Sequence, residues 1–149
     1  MLTHRIATPA DARLLAMMNH QLIQDEGHRN PMTQPELEQR MRRWLEREYN
    51  AVLFEEAREV VAYALFRTEV EVIYLRQFFV TRERRRRAIG RQAVHLLLNE
   101  VFVSARRITL EVLASNQGAR AFWDATGFRD YAITMELLRA PHPADFLKP

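Results

Sequence analysis

The densest chemistry in this chain lies in Thr81–Arg91, TRERRRRAIGR, where four consecutive arginines, Arg84 to Arg87, run into Ala88, Ile89 and Gly90. A stretch of strand character, Val70 to Val80, leads into it, and a helical pattern starts directly after it. A strand, a short turn and a helix N-terminus together aim several free N–H groups at one place. The helix dipole adds roughly half a positive charge there. Small residues at positions 88 and 90 let an anion come close to the backbone, and guanidinium forks strengthen the attraction to phosphate. The chemistry on offer is a diphosphate cradle made from main-chain donors. Two other readings of the same run are a solvated helix face and a nucleic-acid patch, although no recognisable nucleic-acid module surrounds it.

The elements that would hold this turn in place follow from patterning. Thr3 to Ala7 reads as a first strand, and Thr8-Pro9-Ala10-Asp11 supplies a cap, a proline at the first helical position and an acid three residues after the cap. Leu14, Leu15, Met18, Leu22 and Ile23 continue at helical spacing, which predicts a helix to about Gln24. A loop, Asp25 to Met32, is polar and broken by Gly27 and Pro31. Thr33-Gln34-Pro35-Glu36 is a second capping box, ahead of Leu37, Met41, Trp44 and Leu45.

From Tyr49 the texture changes to β-branched and aromatic residues. Ala51 to Phe54, Val60 to Phe66 and Val70 to Val80 predict an antiparallel meander, with charged turns at Glu55–Glu59 and Arg67–Glu69. Ala88 to Val103 reads as a long helix, Arg107 to Val112 as an alternating strand, and Asn116 to Thr126 as a helix closed by Gly127. Phe128 to Leu138 has strand character again, and a proline-containing tail, residues 141–149, follows the domain at 1–140. The order β-α-α-β-β-β-α-β-α-β predicts a single α/β (α+β) domain around a mixed, mostly antiparallel sheet of six to seven strands and about four helices.

Composition narrows the function classes. With 149 residues, 48% hydrophobic and 28% charged, the chain is an ordinary globular domain. There is no apolar run long enough to span a membrane. The opening Met-Leu-Thr-His-Arg lacks the apolar core of a secretory signal. The absence of cysteine removes disulfides, thiolate metal sites and cysteine nucleophiles. A cytoplasmic location is the expectation, although a cysteine-free chain suits an oxidising compartment too. Of the 22 basic residues all but Lys148 are arginine, yet 19 acids are interspersed and the net charge is only +3. That balance gives little support to nucleic acid as a partner. His4, His20, His95 and His142 show no metal-ligand spacing, so no metal is expected.

Arg85-Arg86-Arg87-Ala88-Ile89-Gly90, between strand and helix, resembles the signature of the GNAT superfamily of acyl-CoA-dependent N-acyltransferases: Gln or Arg, two residues, Gly, one residue, Gly or Ala. Asn116, Ala119, Phe122, Trp123, Gly127 and Phe128 match a second element of that family in the expected order. The resemblance covers residues 3 to 138. It implies that backbone amides from Arg85 to Gly90, including Arg86, Arg87 and Ile89, hold the diphosphate of coenzyme A. It implies further that Phe78, Phe79 and Val80 are the strand end along which pantetheine lies. Main-chain groups of Phe78 and Val80 would pair with it and polarise the thioester carbonyl. Asn116 would bond the pantetheine arm, with Ala119 and Phe122 packed beside it; a helix cap and a core aromatic are the bland readings of Asn116 and Phe122.

Three positions depart from the family pattern. Ala88 stands where the first glycine is usual, which is tolerable in a helical conformation and strained in a left-handed one. Trp123 occupies the place of a frequent acidic tyrosine, and an indole N–H cannot deliver a proton. Packing is therefore its role, and Tyr131, or secondarily Tyr74, is the substitute acid, unless a water serves. Tyr74 also stands where some relatives carry a glutamate base. Glu71, three residues away, falls on the opposite face of an unbulged strand. Glu26 or His28, in the loop that in this fold often borders the acceptor site, would then be the base; the alternative is a polar surface turn. Histidine titrates near neutrality, which suits taking a proton from an ammonium.

The implied function is transfer of an acetyl group from acetyl-CoA to a primary amine of a small molecule, by direct attack. Alternatives are a non-catalytic acyl-CoA-binding module and an arginine-rich nucleic-acid-binding protein. A free sheet edge gives the expectation of a homodimer.

Overall fold

The computed structural model describes residues 1–85 and 87–139; the expected tail, residues 141–149, and Arg86 lie outside the described residues. Strand β1 (Thr3–Ile6) is followed by a 3-10 turn at Pro9–Asp11 and by helices α1 (Ala12–Glu26) and α2 (Gln34–Glu46). Then come β2 (Tyr49–Glu56), β3 (Glu59–Glu69) and β4 (Val72–Val80). Helix α3 (Ile89–Leu96) runs on into a wider π-turn at Leu97–Val101, ahead of β5 (Arg107–Leu110) and α4 (Gln117–Ala125).

Both capping boxes form. The Thr33 side chain accepts from the Glu36 N–H, and at Thr8 it is Asp11 that closes the box, also bonding Arg5 at 2.9 and 3.0 Å. Those Arg5 bonds hold the Asp11 carboxyl below its usual range. Gly27 ends α1 in the left-handed region, φ 66°, where glycine carries no Cβ penalty.

The sheet is mixed, in the order β1-β2-β3-β4-β5; the first three pairings are antiparallel and β4–β5 is parallel. Five strands therefore form among the described residues, one or two fewer than expected. After Gly127 the segment 128–139 makes no ladder with the sheet, and Ile133, Met135 and Leu137 stand exposed. The β3–β4 turn also moves: β3 continues to Glu69, and Val70 and Glu71 make the turn, with Glu71 at φ 58°.

Helices cover both faces, so β3 is buried almost continuously rather than on alternate residues. Val52, Phe54, Ala62 and Ala64 pack towards α3 and α4. Ala51, Leu53, Tyr63 and Leu65 pack towards α1 and α2 with Leu15, Leu22 and Met41. No helix among the described residues is long and apolar enough to cross a membrane.

Candidate active site

One irregularity in β4 shapes the site. Leu65 pairs with Gln77 and Phe66 with Leu75, so Arg76 has no partner and forms a bulge. An extra residue exchanges the faces of all that follows it. Ile73 and Leu75 join the α3 side of the core, whereas beyond the bulge it is Phe78 that packs on that side and Phe79 that packs with Tyr63. Arg76 and Gln77 come to lie consecutively towards α1 and α2. There Arg76 bonds the Tyr49 hydroxyl at 3.3 Å, and Gln77 accepts from the Tyr63 hydroxyl at 2.9 Å.

At the same place β4 and β5 part. Their pairing ends at Leu75 and Leu110. The Thr81 N–H donates to Val61 of β3 at 2.9 Å. Because main-chain groups alternate along a strand, those of Phe78 and Val80 must point the other way, into the gap. The Val80 carbonyl there accepts from Arg85 Nε at 2.9 Å. This is an unpaired stretch of strand edge, open to an extended ligand.

The arginine turn lies at the end of that edge, and its side chains are largely committed. Arg82 and Arg85 both bond Asp25, the latter at 2.6 Å, while Arg84 reaches Glu56 and Glu59. Burial raises the Asp25 carboxyl, but the two guanidinium bonds outweigh it and leave it below its usual range. Arg82, Arg84 and Arg85 thus have their charges met within the chain. The main chain is available instead: the first ladder bond of α3 joins the Gln92 N–H to the Ala88 carbonyl at 3.0 Å. The N–H groups of Ile89, Gly90 and Arg91 precede it and have no partner within the helix.

Ala88 adopts the strained alternative, at φ 62° and ψ 11°. A left-handed L-residue costs about 1–2 kcal/mol, and removing that crowding exceeds the roughly 0.4–1 kcal/mol of unfolded-chain entropy that a glycine adds. Ala88→Gly is expected to raise stability by about 0.5–1 kcal/mol, read as a higher urea midpoint; an unchanged or lower midpoint contradicts it. A Cβ at Gly90 would sit 3.4 Å from two ring carbons of Phe122 and 3.6 Å from Val80, ordinary contact distances, so packing of α3 on α4 does not by itself require glycine there.

A cavity of about 230 Å³ opens from the gap towards α1 and α2. Phe78, Val112, Ala119 and Trp123 line one side, Tyr74 and Gln77 its strand wall, and Glu26 and His28 its helical side. Glu26 and His28 form a pair at 2.8 Å. Burial pushes the Glu26 carboxyl above its usual value, and His28 partly offsets this. The Tyr74 phenol is raised by burial and by Glu111, which keeps it protonated. Tyr63, fully buried beneath, is raised by burial and by Glu26.

Of the expected site residues, Glu26, His28, Tyr74, Phe78 and Ala119 meet at this cavity. Phe79, Val80, Arg85, Ile89 and Gly90 flank the edge and the turn; Arg87 belongs to the turn, and Arg86 lies outside the described residues. Tyr131 is not brought there: its segment joins no strand, it is 85% exposed, and Arg107 lies over its ring at 4.7 Å. Glu71 sits in the turn, where its carbonyl accepts from Arg106 and Arg107. Asn116 is the cap of α4, its Oδ1 accepting from Ala119 at 3.1 Å. Phe122 stacks on Phe78 at 6.0 Å, and Trp123 packs edge-on against Phe78, Phe122 and Phe128. No group of three or more potential metal ligands gathers among the described residues. Asn19 and Arg40 carried no signal in the sequence, because nothing local marks a helical polar residue that tertiary packing turns inward.

The fold is thus an α/β domain whose mixed sheet has neighbouring parallel strands that part at a bulge, with a turn and a helix N-terminus at the end of the freed edge. The chain belongs to the acetyltransferase (GNAT) family, whose family model matches residues 16–128. No curated protein matches it in sequence. Similar solved structures include a possible acetyltransferase from Clostridium difficile 630, at 16% identity and a TM-score of 0.74, covering 95% of this chain and 99% of that one. A predicted acetyltransferase from Clostridium acetobutylicum, solved with acetyl-CoA, has 22% identity, coverage of 93% and 96%, and a TM-score of 0.70. The aminoglycoside N-acetyltransferase AAC(6')-Iy, in complex with CoA, has 12% identity, coverage of 95% and 96%, and a TM-score of 0.72. At these identities what is shared is the fold.

Proposed function

We propose that the protein is an N-acetyltransferase that moves the acetyl group of acetyl-CoA directly to a primary amine of a small molecule. The observation that carries this reading is the unpaired edge at Phe78 and Val80 opening into the cavity that holds Glu26 and His28. Coenzyme A would place its diphosphate on the N–H groups at the start of α3, with Arg85 and its neighbours assisting. Pantetheine would run along Phe78–Val80, taking over the Val80 carbonyl from Arg85, with Asn116, Ala119 and Phe122 beside it. Of the two free edge residues only Phe78 lines the cavity, so its N–H would polarise the thioester carbonyl.

An ammonium acceptor must first lose a proton, and Glu26, with His28 as its partner, is the base we assign. The amine nitrogen then attacks the carbonyl carbon; as the intermediate collapses the C–S bond breaks, the nitrogen gives up its second proton to water, and the thiolate takes a proton from Tyr74, which that water replenishes, or from the water itself. Positioning and carbonyl polarisation supply most of the rate. A cytoplasmic location and a homodimer complete the reading; light scattering of the purified chain would distinguish one mass from two.

Calorimetry with acetyl-CoA, followed by thiol release over a panel of amines, tests it. Binding and amine-dependent thiol release are expected. Tight binding with no release on any amine would instead leave a carrier-binding module, and no binding would remove both.

A further inference from the structure

We infer that the acceptor amine also carries a carboxylate, received by Arg40 of α2 and Arg76 of the β4 bulge; the inference rests on the acetyl-transfer reading of the same cavity. Both arginines line that cavity. Arg5, Arg82, Arg84 and Arg85 each have carboxylates within bonding distance. Neither Arg40 nor Arg76 has one among the described residues, and each has the other as a charged neighbour. Burial, and then the charge of Arg76, make the Arg40 cation less favourable than usual. Arg40 is half-buried and Arg76 exposed, and two like charges held this close call for an anion between them.

Their placement is built rather than incidental. The Trp44 ring carries both guanidinium groups, Arg40 at 4.3 Å and Arg76 at 4.7 Å from its centroid. Asn19 Oδ1 accepts from Arg40 at 3.1 Å, and Tyr49 Oη accepts from Arg76. Asn19 is 1% exposed, yet its Nδ2 has no acceptor among the described residues, and neither has the buried Arg40 Nε. Buried donors require acceptors, and these are donors only, so the complement is an oxygen-rich anion. A planar fork prefers a carboxylate in bidentate contact.

The other end of the cavity suits the amine. Glu26 lies seven residues beyond Asn19 on α1, or about 10 Å along the helix axis. One acidic end and one basic end within a small cavity describe an amino-acid-like acceptor. A polycation, such as an aminoglycoside, meets the arginines with the wrong sign.

The test uses the purified full chain with acetyl-CoA and a panel of α- and ω-amino acids, each paired with its carboxamide. The acid of at least one pair is expected to exceed its amide in kcat/KM by about tenfold to a hundredfold, the range of a charge-assisted pair. Arg40→Met and Arg76→Met should abolish that preference by raising KM for the acid, with little change for the amide; Arg40→Lys should restore part of it. Amides turned over as well as acids would overturn the inference and leave acetyl transfer standing. If no amine releases thiol, binding of short carboxylates to the acetyl-CoA complex decides separately. Binding lost in Arg76→Met supports the anion site and sinks the transfer reading, and equal binding in wild type and both variants sinks the anion site.

Discussion

Glu26→Gln is expected to lower kcat/KM for acetyl transfer by about a hundredfold or more, within the roughly 10²–10⁴ that positioned proton transfer supplies. Acetyl-CoA affinity should be unchanged, because Glu26 lines the acceptor side of the cavity rather than the free strand edge. Glutamine keeps the shape and the hydrogen-bonding reach but cannot accept a proton from an ammonium. The pH dependence gives a sharper signature. Burial raises the Glu26 carboxyl above its usual value, so at mildly acidic pH more of it is protonated and idle. The acid limb of kcat/KM should therefore lie at higher pH than for an ordinary carboxylate. His28→Asn removes the partner that pulls Glu26 back down, so it should move that limb further up. In Glu26→Gln the limb should vanish. A limb that survives there assigns the base to another group.

What the residues disclosed unaided, and what they hid, divides along physical lines. Local chemistry was legible: the capping boxes at Thr8 and Thr33 and the Asn116 cap need only neighbours within one helical turn. The turn after β4 was legible because strand, turn and helix are contiguous. The bulge at Arg76 was not, since it exists only in the register between β3 and β4. It is also the feature that turns Arg76 and Gln77 together towards α1. The β2–β3 turn lies within the expected Glu55–Glu59; only its conformation was not legible, since Ala57 and Arg58 are both left-handed, at φ 51° and 68°, without the Asn-Gly signature such turns favour. The strand expected over 128–138 rested on strand character alone, which records what a segment can pair with, not whether a partner is adjacent. Tyr131 was misplaced for that reason, while Tyr74, on a strand held from both sides, reaches the cavity.

The second large effect concerns one backbone N–H. Replacing Phe78 by phenyllactate converts its amide to an ester and deletes that N–H while keeping the ring against Phe122 and Trp123. Because the Phe78 N–H points away from β3, no ladder bond is lost, and the unfolding midpoint should stay near that of the unmodified chain. If this group polarises the thioester, kcat should fall by about 10²–10³, the usual cost of one such donor. Phe79 provides the control with the same analogue, since its N–H shares the direction of Thr81 and faces its ladder partner Tyr63. An ester there should cost about 0.5–1.5 kcal/mol of stability, as for one ordinary hydrogen bond, and leave kcat largely intact. The contrast separates catalysis from folding at adjacent residues of identical side chain. Equal loss of kcat at both positions would assign the effect to strand integrity. No loss at Phe78 would mean that the carbonyl is polarised elsewhere, and the open edge of β4 would then only guide the pantetheine arm.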